Sequence, residues 1–289
     1  MIRQTKDKII DTIIIAIIAI LAIICLVPML HELAMSFSSN NAILSRKVTL
    51  FPVEPTTRSF KIVLGDPKMV HSLIYTAELT VVYTVLSMIM TILVAYPLTK
   101  KHLVGGNAYM VFVIITMYFS GGIIPDYILI KSLHLLDKPW SLILPGLISP
   151  FNMIILKTFF SSIPESLEES AYLDGASYLT ILVRIIIPLS LPAIATLSLF
   201  YAVSRWNTFQ DALMYISSEK YYPVQMKLYQ IIFNSMTNEV AQAEGSSTTM
   251  VPEGIKAAAV IVATVPILIV YPWLQKYFVT GVTLGAVKE

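Results

Sequence analysis

Six times in 289 residues the chain stays apolar for about as long as a helix needs to cross a bilayer. A helix rises about 1.5 Å per residue and a hydrocarbon core is about 30 Å thick, so about 20 apolar residues make one crossing. The stretches run over about 9–33, 69–98, 109–130, 140–160, 179–201 and 255–278. A helix pairs its backbone N–H and C=O groups internally, which hydrocarbon requires. The expected fold is therefore all-α, a polytopic membrane protein of six transmembrane helices. Hydrophobic residues make up 56% of the chain and charged residues 13%, with a mean hydropathy of +0.75, which excludes an ordinary soluble domain. Pro28, Pro97, Pro125, Pro145, Pro150, Pro188, Pro192 and Pro266 lie within or beside the stretches, so kinks are expected where neighbouring helices satisfy the freed carbonyls.

The first stretch follows Arg3, Lys6 and Lys8 but is longer than the apolar core of a signal peptide, about 7 to 15 residues, and reads as retained. Cys25 is the only cysteine, so no intramolecular disulfide can form, and it reads as a core residue. No internal repeat or low-complexity tract divides the chain, which reads as a single transmembrane domain over 1–289. The basic residues before the first stretch, and Lys100, Lys101 and His102 between the second and third, put both termini in the cytoplasm. That places residues 162–188, after the fourth stretch, on the cytoplasmic side, and leaves 34–68 and 206–254 as long outer loops. A net charge of +2 gives no reason to invoke nucleic acid, and no metal site is expected.

The loop at 162–188 carries its own helix signals. Pro164 suits a first helical position, and Glu165, Glu168 and Glu169 put negative charge where the helix dipole favours it. Leu167 and Ala171 share a face with Ile163, while the glutamates and Tyr172 point elsewhere. Gly175 ends the helix, tolerating a left-handed turn and letting a foreign surface approach the backbone. The polar face is acidic, unlike that of a helix lying on lipid. The product is a half-polar knob suited to a groove in a partner protein.

Glu169-Ser170-Ala171, three residues, Gly175, nine residues, then Ile185, Ile187 and Pro188 follow the spacing E-A-A-x3-G-x9-I-x-L-P. This resembles the coupling loop of permease subunits in ABC-type importers. Ser170 and Ile187 depart from the usual alanine and leucine, both small or apolar exchanges. The resemblance implies a coupling helix between helices four and five, with ATPase-coupling roles for Glu168, Glu169, Ser170, Ala171, Asp174, Gly175 and Pro188. Ser120-Gly121-Gly122-Ile123-Ile124-Pro125, Arg205-Trp206-Asn207-Thr208-Phe209 and the segment from Gly281 to Lys288 are similar to the carbohydrate-uptake branch, the maltose-permease-like and polysaccharide-permease-like subunits. That likeness implies an ATPase-contacting tail over about 280–289, including Gly281, Gly285 and Lys288. The implied partners are a second homologous permease, an ATPase dimer, a solute-binding protein, membrane lipid and an oligosaccharide. The implied location is the bacterial cytoplasmic membrane.

The chain has no Gly-Lys pair and so no phosphate-binding loop; it is expected not to be an enzyme. It should bind no cofactor itself, with ATP and magnesium on the partner ATPase. The alternatives are an ABC permease for a non-sugar solute, an ion-coupled secondary transporter, and a membrane scaffold. An ion-coupled carrier calls for paired ionisable residues at the midplane, and Glu78 stands alone within the second stretch. A sugar path needs flat aromatic faces with amides or hydroxyls, which Trp206, Asn207, Tyr118, Asn152 and Tyr201 supply. Packing against the second permease is the competing role for each of them.

Overall fold

The computed structural model describes residues 5–243 and 252–286, with side chains described over 10–235 and 252–270. All regular structure among the described residues is helical. In chain order the helices are α1 (Thr5–Ser36), α2 (Asn40–Leu44), α3 (Arg58–Gly65), α4 (Pro67–Ala95), α5 (Gly106–Tyr118), α6 (Ile123–Ser132), α7 (Trp140–Ile143), α8 (Pro150–Ser161), α9 (Glu165–Leu173), α10 (Tyr178–Ile181), α11 (Ile187–Leu189), α12 (Leu191–Asn207), α13 (Gln210–Tyr215), α14 (Val224–Ala243) and α15 (Glu253–Ala286).

Three helical segments are long and apolar enough to cross a membrane unbroken: Ile10–Ser36, Pro67–Thr99 and Glu253–Val270. The other three expected crossings are bent pairs. Gly106–Tyr118 meets Ile123–Ser132 at 115°, Trp140–Gly146 meets Pro150–Ser161 at 51°, and Tyr178–Leu189 meets Leu191–Asn207 at 83°. Each bend has a local cause. Gly122, at φ +90°, turns the chain between α5 and α6, a conformation that costs a glycine little. Pro145 tightens the end of α7 into a 3-10 turn over Leu144–Gly146, and the Ser149 side chain then caps α8 by accepting from the Asn152 N–H at 3.4 Å. Between α10 and α11 the helix widens into a π turn over Leu182–Ile186, just before Pro188, which has no N–H for the carbonyl of Arg184. Pro192 follows in the first turn of α12.

Packing divides the described residues into two units. One draws on Met1–Val70 and Leu228–Val265, the other on His71–Lys227 and Pro266–Glu289. In the first unit Ala34, Ala42 and Val48 form a small core, with Met35, Ile43 and Val53 against it. The Ser38 hydroxyl donates to the Ala34 carbonyl at 2.7 Å and accepts from the Val53 N–H at 3.0 Å, and the rings of Phe37 and Phe60 lie 4.6 Å apart. The stretch over 34–68 is thus folded, and Ser36 and Ser38 are buried within it. By contrast α1 exposes its whole apolar window, Cys25 included, which corrects the expectation of a core cysteine. Lipid tails are as apolar as leucine, so a membrane helix needs no cover from its own chain.

In the second unit α8 buries Met153, Leu156 and Phe160 and packs against α5, α12 and the 3-10 turn at Pro97–Thr99. The Tyr83 hydroxyl of α4 donates to the Gly146 carbonyl at 2.6 Å, and a Cβ at Gly146 would stand 2.7 Å from that same oxygen. A side chain there would have to push the Tyr83 hydroxyl aside. Arg205, 5% exposed, grips Asp211 with both terminal nitrogens, at 2.6 and 2.9 Å, and also donates to the Leu142 carbonyl. Asp137, itself at φ +56°, accepts from the N–H groups of Ser217 and Ser218 at 3.0 and 2.8 Å and from the Ser218 hydroxyl, and these donors hold its carboxyl below its ordinary pKa. The segment over 206–254, read from sequence as a long loop, instead contains α13 and α14. Val224, Leu228, Ile231 and Ile232 recur there at helical spacing within a polar sequence.

Candidate functional site

The helix expected after the fourth apolar stretch is α9, and none of its residues is buried. Pro164 stands at its N-cap with ψ 126°, one position earlier than the sequence suggests. At the other end the Gly175 N–H bonds the Tyr172 carbonyl at 3.0 Å and the Ala176 N–H bonds the Ala171 carbonyl at 3.0 Å. This double closure is the Schellman motif, and Gly175 occupies its left-handed position at φ +85°. Ser177 then caps α10, its hydroxyl accepting from the Thr180 N–H at 3.3 Å. Two caps in quick succession give the loop a fixed corner.

The glutamates divide into two sets. Glu168 turns toward the short connection between α4 and α5, pairs with Lys100 and accepts from the Tyr96 hydroxyl at 3.3 Å. Lys100 also sits 4.2 Å from the centre of the Tyr96 ring. Lys101 pairs with Glu165 at 2.9 Å, and the Tyr178 ring lies near His102 and Tyr172. The Lys101–Glu165 pair is exposed and worth at most about 1 kcal/mol, while the Lys100–Glu168 pair is largely sheltered and is the firmer tie. Glu169, Ser170, Asp174 and Gly175 remain exposed, and Leu173 is 87% exposed. Leu167 and Tyr172 are exposed as well, so the face shared by Leu167, Ala171 and Ile163 is not buried as a packed stripe. A cleft of about 1010 Å³ opens between the α4–α5 connection and α9, with Lys101, Ser162, Glu165, Glu169, Tyr172 and Tyr178 among its walls. α9 is thus an acidic, partly apolar helix, tied on one side to the α4–α5 connection and open on the other.

The other candidates are scattered. Pro188 is exposed beyond the π turn. Tyr201 is buried, its hydroxyl bonded to Thr91 at 2.7 Å and accepting from the Ser149 N–H at 2.9 Å. Trp206 is 8% exposed and Asn152 is buried near the start of α8. These three are enclosed by their own chain. Asn207 is exposed and donates to the Val203 carbonyl at 2.8 Å, and Glu78 is exposed on α4. Tyr118 is 76% exposed at the end of α5. Gly281 and Gly285 fall within α15, in a part whose side chains are not described, and Lys288 lies outside the described residues. Sequence reasoning overlooked Lys100 and Lys101 as partners of the glutamates. Their opposite charges, in two short loops assigned to one side, were the available signal.

A family model described as binding-protein-dependent transport system inner membrane component matches residues 72–284. The polygalacturonan/rhamnogalacturonan transport system permease protein YtcP of Bacillus subtilis (strain 168) is 42% identical over 284 residues, 98% of this chain and 99% of its own. Protein LplC of the same organism is 43% identical over 265 residues, 91% of this chain and 89% of its own. A chain in the crystal structure of a bacterial ABC transporter involved in the import of the acidic polysaccharide alginate superposes with a TM-score of 0.86 and 32% identity, covering 96% of this chain and 99% of that one. A match over most of the length, in sequence and in backbone, joins the spacing around Gly175 to one conclusion: the chain belongs to the binding-protein-dependent transport system inner membrane components.

Proposed function

We propose that this chain is one permease subunit of an ATP-driven importer of oligosaccharides, forming half of the translocation path with a second, related permease. A separate ATPase dimer binds ATP and magnesium, and this chain receives its motion at α9. A solute-binding protein delivers the saccharide from outside, and both termini face the cytoplasm. The observation that carries the reading is the solvent-facing α9 closed by left-handed Gly175, in a family whose description names binding-protein-dependent transport. Relatives named for polygalacturonan/rhamnogalacturonan transport and for alginate import support a saccharide, and among saccharides an acidic one. The contact between the basic α4–α5 connection and α9 supports placing both loops on one side of the membrane, as the count of crossings does. Glu169, Ser170, Asp174 and Gly175 face the ATPase, while Glu168 ties α9 to its own subunit.

The test is uptake by proteoliposomes containing the full transporter, with labelled oligogalacturonate and maltotriose as probes and the binding protein outside. Uptake should require internal ATP and survive a protonophore. Uptake that ignores ATP and collapses with the ion gradient would overturn the reading in favour of an ion-coupled carrier.

A further inference from the structure

Because α9 buries none of its residues, packing alone does not fix which way it faces. It is strung between short connections at 162–164 and 174–177. Two ion pairs join it to the α4–α5 connection, and they differ in kind. The side chains of Lys101 and Glu165 are 82% and 66% exposed, so water competes for both charges and the pair sets little. Those of Lys100 and Glu168 are 16% and 20% exposed, and their contact is built from three groups. Oε2 of Glu168 takes both the Lys100 ammonium and the Tyr96 hydroxyl, while the ammonium stands 4.2 Å from the centre of the Tyr96 ring. Shelter from water strengthens each of these attractions.

The sequence accounts for where Lys100 lies. Pro97 opens the 3-10 turn at Pro97–Thr99, which the Lys100 N–H closes on the Pro97 carbonyl at 3.0 Å. The Thr99 hydroxyl also donates to the Tyr96 carbonyl at 2.7 Å, so the turn folds Lys100 back over the residue four before it. Tyr96 is buried, and its ring meets that of buried Phe160 on α8 edge-on at 6.4 Å. Glu168 is therefore held by groups footed in the packed interior. At about 3.6 residues per turn, Ser170 and Leu173 lie on the side of α9 away from Glu168. Pinning Glu168 inward turns that side out, and Leu173 is the most exposed residue there.

We infer that Lys100 is a positioning residue for ATP-driven transport, acting through Glu168 to fix the roll of α9 about its own axis. With the roll fixed, the side opposite Glu168 meets the ATPase in one orientation, and movement of α9 passes to α4. Without Lys100, α9 turns under load, and the turning absorbs the movement. This inference rests on the coupling role proposed above for α9.

The test uses the reconstituted transporter with its binding protein, and oligogalacturonate and maltotriose as probes. Uptake and ATP hydrolysis are read on the same vesicles for Lys100→Met, Lys100→Arg and the exchanged pair Lys100→Glu with Glu168→Lys. Lys100→Met should accumulate and retain the ATPase like the parent but move about a tenth as much saccharide per ATP hydrolysed. Lys100→Arg keeps the charge and the ring contact and should stay within about twofold of the parent. The exchanged pair should recover most of the ratio that Lys100→Met loses. A Lys100→Met transporter with the parent's ratio overturns this inference alone, as does an exchanged pair that recovers nothing. Uptake, hydrolysis and retained ATPase falling together at a constant ratio also overturn it, since that pattern belongs to a docking contact or to lost stability. Uptake by the parent that ignores ATP overturns the importer reading and this inference with it.

Discussion

Replacing Gly175 separates two reasons a glycine can stand at a corner. Its φ of +85° puts an L-residue in the left-handed region, at a cost of about 1–2 kcal/mol for alanine and less for asparagine. A Cβ built at Gly175 meets nothing within 4 Å, so within this chain the cost is purely conformational. A penalty of that size shifts the balance between closed and frayed α9 by a factor of about 5–30, and it leaves the long apolar helices untouched. Gly175→Ala, Gly175→Asn and Gly175→Asp should therefore insert and accumulate like the parent. If Gly175 is also where the ATPase comes closest, asparagine should fail nearly as badly as alanine despite its better fit to the turn. Aspartate, which adds a charge to be desolvated, should abolish uptake. The assay measures membrane abundance, copurified ATPase and ATP-driven uptake for all three. Recovery by asparagine alone would reduce the role to backbone shape. Normal uptake by a fully abundant Gly175→Asp transporter would refute the docking argument itself.

Glu169→Lys reverses an exposed charge on the docking face and should weaken ATPase retention by about 1 kcal/mol at low salt, with the deficit shrinking as salt rises; pull-down across salt concentrations checks it. Asp211→Ala leaves the Arg205 guanidinium buried and unpaired, and because Asp211 is 22% exposed the cost should sit near the lower end of about 3–5 kcal/mol. Arg205→Met combined with Asp211→Leu should recover most of the lost thermal midpoint. Trp206→Ala should lower the melting temperature of the complex, by the loss of a buried ring worth about 3–5 kcal/mol, with every activity falling in proportion. The Asp137 carboxyl is held below its ordinary value, so its tie to Ser217 and Ser218 stabilises above about pH 4 and is lost as pH falls through the folded value. Melting curves of the parent should show that loss, and Asp137→Asn should remove this part of the pH dependence.

Hydropathy located all six apolar segments because it reports length and polarity, and nothing in it reports direction. A kink beside Pro125 was expected, but not a turn of 115°, since Phe119, Ile123 and Ile124 keep the stretch apolar across the break. The corner at Gly175 was legible because a helix stop and its glycine are adjacent in sequence. The partners of Glu165 and Glu168 lie 64 and 68 residues away, and such pairing emerges only when the chain folds. Residue type also could not separate Tyr201 and Trp206, enclosed by their own chain, from Tyr118, which is not. A saccharide path and a packed core use the same aromatic residues.

Viewed mechanically, α4 is a lever. Its 29 residues make a helix about 44 Å long. The foot is clamped to α9 through Tyr96 and Lys100. Midway, the Tyr83 hydroxyl is bonded to the Gly146 carbonyl, which makes a fulcrum. Beyond it, Thr76 holds the Val224 N–H at 2.7 Å and His71 meets the Lys220 carbonyl at 2.8 Å, loading the far arm. If the proposed coupling at α9 holds, a sideways push there would reach the other arm of α4 reversed in direction and similar in size. Such a stroke would run along one unbroken helix rather than through the three bent pairs.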